Sequence, residues 1–416
     1  MLRFANFNFK KTRQKLSWYY FNDLSVNSTY YRDLTNGLGI RQFYKIGISQ
    51  TTDVVVSGGS QDNGTSFYTA ANSWKDWLGA DGMETFIDKD DPQIMYGTSQ
   101  FGSLYRTDNA AASINFLNEP GSGSGNWVTP FEQDPSTPNT IYVGYNEVYK
   151  SDNKGASWSL ISQNFGSNLD HLKIAPSNNL IMYAASGATF YNTTDGGATN
   201  WAVKTAPGGS INSIAIHPSN PNIVAVATTA SSKVRISQDG GSTWTTMNTS
   251  LPNFNALALV WDTNTDNGLY LGMDYGVYYI DDNFTDWQPF SNGIPNVIVN
   301  ELEINHADGK LYAGTYGRGL WATPTYEELL AVEGAQAVNT IQAYPNPTQD
   351  KLYVTLKQPE IGSLRLFNSQ GKLLQVHHAI PLGSRFEMDL STLARGVYFL
   401  RINTTQGVYT QKVLKQ

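Results

Sequence analysis

Short runs of β-branched and aromatic residues alternate along this chain with polar, glycine-bearing turns. The runs recur at a fixed interval. Segments starting at Val54 (VVVSGGSQD), Ile94 (IMYGTSQFG), Ile141 (IYVGYNEV), Ile181 (IMYAASGA), Ile223 (IVAVATTA), Leu269 (LYLGMDYG) and Leu311 (LYAGTYGRG) each close on small residues, with starts 40, 47, 40, 42, 46 and 42 residues apart. Each unit reads alike: an alternating strand such as Ile211 to Pro218 (INSIAIHP), a Pro/Asn turn, the strand just quoted, a third (Lys233 to Ser237), and a fourth opening on a tryptophan such as Trp244. A strand with period 2 buries one face, and four such strands per repeat of about 43 residues describe one propeller blade. Seven starts predict seven blades.

The last unit has no tryptophan-led fourth strand after it. Upstream, Tyr30 to Leu38 (YYRDLTNGL) matches Asp286 to Ile294 (DWQPFSNGI) almost position for position. Residues 30 to 34 are therefore expected to complete blade seven and close the ring, which removes the exposed edges of an open sheet.

The connection from third to fourth strand recurs as Ser237 to Trp244 (SQDGGSTW), Ser151 to Trp158 (SDNKGASW) and Thr193 to Trp201 (TTDGGATNW), with weaker copies around Asn109 and Asn283. A short carboxylate or amide at Asn153, Asp195 or Asp239 can accept N–H groups of its own turn, Gly155, Gly197 and Gly241 supply positive φ, and Trp158, Trp201 and Trp244 cover the apolar side. The pattern resembles the Asp-box repeat of sialidases, sortilin-type receptors and xyloglucanase-type glycosidases. Its role is structural, since carboxylates on separate blades cannot converge on one substrate.

After Thr325 the pattern changes. Residues 326–340 read as a linker, and 341–416 as a second domain of alternating strands: Lys351 to Leu356, Ser363 to Phe367, Lys372 to His378, Arg385 to Leu390, Gly396 to Ile402 and Val408 to Lys415. This suggests a small Ig-like β-sandwich. Tyr344-Pro345-Asn346-Pro347, the hairpin ending Gly371-Lys372, the Arg395-Gly396-Val397-Tyr398 segment and the terminal Lys412 to Lys415 resemble the type IX (Por) secretion C-terminal sorting domain of Bacteroidota. The resemblance implies an address read by the secretion machinery, a route through the periplasm, and a destination at the outer-membrane surface or beyond. The expected order is an N-terminal segment at 1–28, a propeller at 29–325, the linker and the sorting domain, an all-β fold. Met1 to Tyr20 carries Lys10, Lys11, Arg13 and Lys15 but no apolar signal core, so residues 1–28 read as the tail of an upstream domain.

Composition narrows the chemistry. Only 15% of residues are charged, the net charge is −7 and cysteine is absent, so disulfides and thiol nucleophiles are excluded. No basic stripe offers itself to nucleic acid, and no apolar run reaches the roughly 20 residues that span a bilayer. The five histidines show no metal-ligand spacing. No cofactor is expected. Asp262 to Asn267 (DTNTDN) could hold a structural calcium, but it lacks the glycine and final glutamate of an EF-hand loop.

In a propeller, the loops from strand two to three and from strand four to the next blade share one face. There the sequence places Asp62, Asp81, Glu84, Asp274, Tyr275, Tyr316 and Arg318, with Trp77 nearby. Two readings follow. One is a binding propeller that grips a polysaccharide or surface protein with Asp81, Glu84, Tyr275, Tyr316, Arg318 and Trp77. The other is a xyloglucanase-like glycoside hydrolase, endo-acting on β-glucans, with Asp62 and Asp274 as paired carboxylates. A sialidase would need three clustered arginines, and Arg32, Arg106 and Arg235 fall on outer strands.

Overall fold

The computed structural model of the chain describes residues 19–21, 31–33, 40–327 and 341–416, apart from 70–72, 122–123, 248–249, 264–266, 292, 357–360, 369–371, 382–384 and 404–407. Two compact units meet at Thr325/Tyr326. Most of the expected N-terminal segment and residues 328–340 of the expected linker lie outside the described residues, as do Gly371 and the centre of the Asp262 to Asn267 loop.

The first unit is a seven-bladed propeller. Its innermost strands are Phe43–Ile48, Thr85–Ile87, Phe131–Gln133, His171–Ile174, Ile211–Ile216, Ala256–Trp261 and Val299–Asn305. From each, the chain meanders outward through antiparallel neighbours, giving four strands in blades one to six. Blade seven has three among the described residues, Val299–Asn305, Lys310–Thr315 and Leu320–Pro324. Its expected fourth strand departs from expectation: Tyr31–Asp33 pairs with Tyr19–Phe21 in a two-stranded sheet of its own. The ring closes through the inner strands instead. Asn300 Nδ2 donates to Phe43 O (3.0 Å), Gln50 Nε2 to Ile304 O (2.9 Å) and Asn305 Nδ2 to Thr51 O (2.9 Å). Above them Gln42 bridges Tyr316.

Blades join one another chiefly through side chains. In blades three to six the tryptophan opening the fourth strand donates its indole N–H to a carbonyl of the preceding blade. The pairs are Trp158 to Asn118 (2.9 Å), Trp201 to Ile161 (2.8 Å), Trp244 to Thr205 (2.8 Å) and Trp287 to Met247 (2.7 Å). Trp201 and Trp287 are almost wholly buried at these seams. An indole that packs its faces and satisfies its single donor suits a crevice between two sheets.

The turn before each tryptophan holds it in place. In the Asp239 turn, Ser237 Oγ donates to Asp239 Oδ1 (2.8 Å) and accepts from Gly241 N (2.8 Å), while Thr243 N and Oγ1 donate to the Asp239 carboxylate (2.8 and 2.7 Å). Gly241 has φ +84°, and a Cβ there would lie 2.6 Å from the Phe190 ring. The Asn153 and Asp195 turns repeat this network. So does the Asn109 turn, where Ala110 and Ala111 adopt φ +51° and +65° without glycine. Hydrogen bonds led by the Thr243 N–H hold the Asp239 carboxyl down at about 2, and those led by the Thr199 hydroxyl do the same for Asp195. Their contribution to stability is complete above the ordinary carboxylate range and is lost only as pH falls from about 4 towards 2.

The second unit is a β-sandwich of two sheets. One orders Ile341–Tyr344, Lys351–Leu356 and Phe386–Asp389, and the other Leu373–Pro381, Ile361–Asn368, Gly396–Asn403 and Val408–Lys415. Leu352, Val354, Leu364, Leu366, Met388, Leu400, Ile402 and Val413 fill the space between them.

Trp287→Ala should cost about 3–5 kcal/mol in denaturant unfolding, the range for deleting a buried aromatic ring. Trp287→Phe, which keeps a ring but loses the donor, should cost less, with about 1 kcal/mol of its effect from the hydrogen bond. A cost under about 1 kcal/mol for Trp287→Ala would mean that the indoles do not hold the blades together.

Candidate functional site: the upper rim, the channel and the tail

Two of the upper-face carboxylates, Asp81 and Asp274, brace the loops around them. Asp62, at φ +58°, sits in the turn after Val56–Ser60, and its N–H donates to Asp81, which also accepts from Gln100 Nε2 (2.9 Å). Gln61 accepts the Tyr316 hydroxyl, and the Tyr316 ring lies 6.1 Å from Tyr44. Thus Asp62, Asp81 and Tyr316 share one rim between blades seven, one and two. Arg318 is exposed beside them, its Nη1 on Gly317 O (3.2 Å). Asp274 is engaged elsewhere: in blade six it accepts Asn255 N (2.9 Å), and its own N–H returns to Asn255 O (3.2 Å). No hydrogen bond or ring contact links Asp274 to the Asp62 group among the described residues. Tyr275 is 47% exposed and packs against Phe254 at 4.7 Å.

Two expectations need correction. Trp77, proposed to stack on a ligand, is 5% exposed and packs with Phe67, Leu78, Ile87 and Met95 in the core, because it stands on the outer strand of blade one. Glu84 belongs to the channel rather than the rim. A second exposed aromatic pair, Phe101 and Trp127 (5.3 Å, edge to face), had no repeat signal to mark it. Its scaffold is stiff: Gly125 N donates to Phe101 O (2.7 Å) and Tyr145 Oη to Gly102 O (2.8 Å).

The central channel holds charges that neither periodicity nor motif revealed. The inner strands bring Lys45, Glu84, Glu132, Lys173, Glu301 and Glu303 onto its wall. Lys45 pairs with Glu301 (2.5 Å) and Lys173 with Glu132 (2.5 Å), and these four side chains keep 14–35% of their surface open to channel water. Four carboxylates face two ammonium groups, and Glu84 and Glu303 lack an ion-pair partner among the described residues. Burial, opposed in part by Lys45, pushes Glu84 up to about 7. Burial and the nearby Glu301 charge push Glu303 up to about 8. Burial works against the charge of Lys45, but Glu301 and Glu84 hold it up at about 12. Burial and then Lys45 depress His171 to about 3, so its ring is neutral and Nε2–H donates to Ile211 O (3.1 Å).

In the sandwich, the quoted motifs converge. Asn346 Nδ2 donates to Lys412 O (2.6 Å), Leu414 N donates to Asn346 Oδ1 (2.8 Å), and the nearly buried Lys415 reaches Gln349 O and Asp350 Oδ1. Tyr344 stays 41% exposed beside Pro345 and Pro347, while Gly396 opens the strand that pairs with Lys415. Residues 342–416 match the family model for the secretion system C-terminal sorting domain. They are a type IX sorting domain. The chain is therefore addressed to the cell surface or beyond, and no helix among the described residues is long and apolar enough to cross a membrane.

Among curated proteins, the chain is 24% identical over 277 residues to a xyloglucanase of Hypocrea jecorina, covering 59% of this chain but 33% of that one. It thus spans about a third of the length of that relative. An ancestral GH74 enzyme superposes with TM-score 0.57 at 13% identity, covering 96% of this chain and 64% of its own. PorZ, a bacterial surface component of the type-IX secretion system of Porphyromonas gingivalis, superposes with TM-score 0.53 at 13% identity, covering 91% and 60%. These likenesses establish the propeller fold.

The raised carboxyls make the channel pH-sensitive in a defined direction. A carboxyl whose folded pKa lies above its unfolded value of 4.5 binds protons in the folded state, so stability falls as pH rises from about 4.5 through 7 to 8. Glu303→Gln should leave the melting temperature unchanged near pH 4.5 and raise it increasingly up to about pH 8. A pH-independent difference would mean that Glu303 is not titrating there.

Proposed function

We propose that the exported propeller is a binding module that holds a polysaccharide on its upper face by stacking sugar rings on exposed aromatic side chains. The observation that carries this reading is the disposition of the rim. Tyr275 with Phe254 and Trp127 with Phe101 stand exposed in pairs on the loops, whereas Asp274, one of the two carboxylates that would perform hydrolysis, is spent on the Asn255 N–H. Hydrolysis by paired carboxylates needs the two groups about 5 to 9.5 Å apart across one glycosidic bond. Asp62 and Asp274 lie on different blades, separated by blade seven, and Asp274 is tied to Asn255 in its own blade. A protein partner on the same rim would use the same aromatic anchors.

The second reading, a glycoside hydrolase, draws support from the xyloglucanase relative and the acidic upper loops. One experiment separates the two. With xyloglucan as the probe, the full chain should bind without releasing reducing sugar, and Tyr275→Ala should weaken binding by about tenfold, the equivalent of one aromatic contact of about 1.4 kcal/mol. Sugar release that disappears in Asp62→Asn or Asp274→Asn would establish the hydrolase reading instead. For the tail, deleting residues 344–416 should leave the protein in the periplasm; surface display without them would overturn its role as the address.

A further inference from the structure

Charge is divided unevenly along the chain. Residues 341–416 carry nine Lys and Arg against four Asp and Glu, a net charge of +5, so with −7 in total the rest of the chain stands at −12. An asymmetry of this size assigns an anionic partner to the basic part.

Within the sandwich the excess is concentrated on one sheet. Its strands, Leu373–Pro381, Ile361–Asn368, Gly396–Asn403 and Val408–Lys415, contain no Asp or Glu. The carboxylates described in the sandwich lie off this sheet and are engaged: Glu387 pairs with Lys351 (2.6 Å), Asp350 takes Lys415 (3.3 Å) and Asp389 accepts Ser391 N (2.8 Å). Leu364, Leu366, Leu400, Ile402 and Val413 fill the core, so the residues alternating with them point outward. Register then fixes the outer face. Leu373, Phe367, Phe399 and Lys412 stand in one row across the four strands, and Arg365 faces Arg401 in the next. Leu373 and Phe399 are 45% and 39% exposed. Arg365, Arg401 and Lys412 are exposed as well, with no carboxylate partner among the described residues.

Like charges directly opposite one another destabilise a sheet, so the Arg365/Arg401 pair is a cost to the fold. Cα atoms so placed are about 4.5–5.5 Å apart, close enough for both guanidiniums to share the oxygens of one phosphate. A broad face that sets open cations level with aliphatic and aromatic side chains matches the surface of an anionic bilayer. There Arg and Lys meet headgroup phosphates while apolar side chains reach the acyl boundary. The sorting domain brings the chain to such a leaflet.

We propose that this acid-free sheet face docks the sandwich on an anionic, phosphate-bearing lipid leaflet, with Arg365, Arg401 and Lys412 on the headgroups and Leu373 and Phe399 at the acyl boundary.

The probe is the full chain with vesicles of equal parts phosphatidylglycerol and phosphatidylcholine. Co-sedimentation should show partition onto these vesicles, weakening as salt rises, and none onto pure phosphatidylcholine. A cation close to an anionic leaflet is worth about fivefold in partition, so Arg365→Gln with Arg401→Gln should lower it about 25-fold. The melting temperature of that variant should hold or rise, because a repulsion is removed. Lys351→Gln with Arg385→Gln takes the same charge from the other sheet and should leave partition within about twofold. Phe399→Ser keeps every charge and should still lower partition. Absence of partition, equal losses in the two double variants, or unchanged partition of Phe399→Ser would each overturn the proposal. A lower melting temperature of the Arg365/Arg401 variant would overturn it by making the arginines structural. Release by inorganic phosphate at matched ionic strength would reassign the face to a single free anion, and a salt-sensitive dimer without vesicle binding would reassign it to a second copy of the chain.

Discussion

The blades are separate sheets, and the seams between them decide whether seven sheets make one body. A backbone ladder is cooperative within a blade but stops at its edge, so side chains carry the connection. At the outer seams this is the indole N–H of one blade meeting a carbonyl of the one before. At the inner seams it is a polar side chain of one inner strand capping a backbone group of the next, as Asn212 does with Ala256 O (2.8 Å) and Asn300 with Phe43 O. The Asp-box turns fix the geometry that lets each indole reach its acceptor.

The same inner strands carry the channel charges. Ring closure places Lys45 against Glu301 although 256 residues separate them. Packed in a narrow bore, the surplus carboxylates resist ionisation, and Glu84 and Glu303 titrate near neutrality as a consequence of fold geometry. On the upper rim, Asp81 and Asp274 accept loop N–H groups while the aromatic rings stand exposed, and these rings are the groups proposed to meet a partner.

The repeat was readable because each blade uses the same turn chemistry and the same strand period, so Asp239, Asp195 and Asn153 announced themselves at fixed spacing. The strands at Lys351–Leu356 and Val408–Lys415 could likewise be bounded from alternation and flanking turns. The channel could not. Lys45, Glu132, Lys173 and Glu301 look like the polar half of ordinary alternating strands, and only superposing the seven inner strands would show that their polar faces converge. Trp77 misled for a related reason: an aromatic near an acidic loop reads as a ligand platform, while its strand position commits it to the core. The Asn109 turn was underrated because Ala110 and Ala111 adopt a conformation usually signalled by glycine.

Each seam indole and its acceptor carbonyl lie 39 or 40 residues apart, close to the length of one repeating unit. Gaining or losing a whole unit therefore leaves every remaining donor facing an equivalent acceptor, whereas a partial unit orphans one of each. Such an architecture can change its number of blades by duplication without redesigning its joints, and it confines variation in length to the loops, where the proposed partner-facing surface lies.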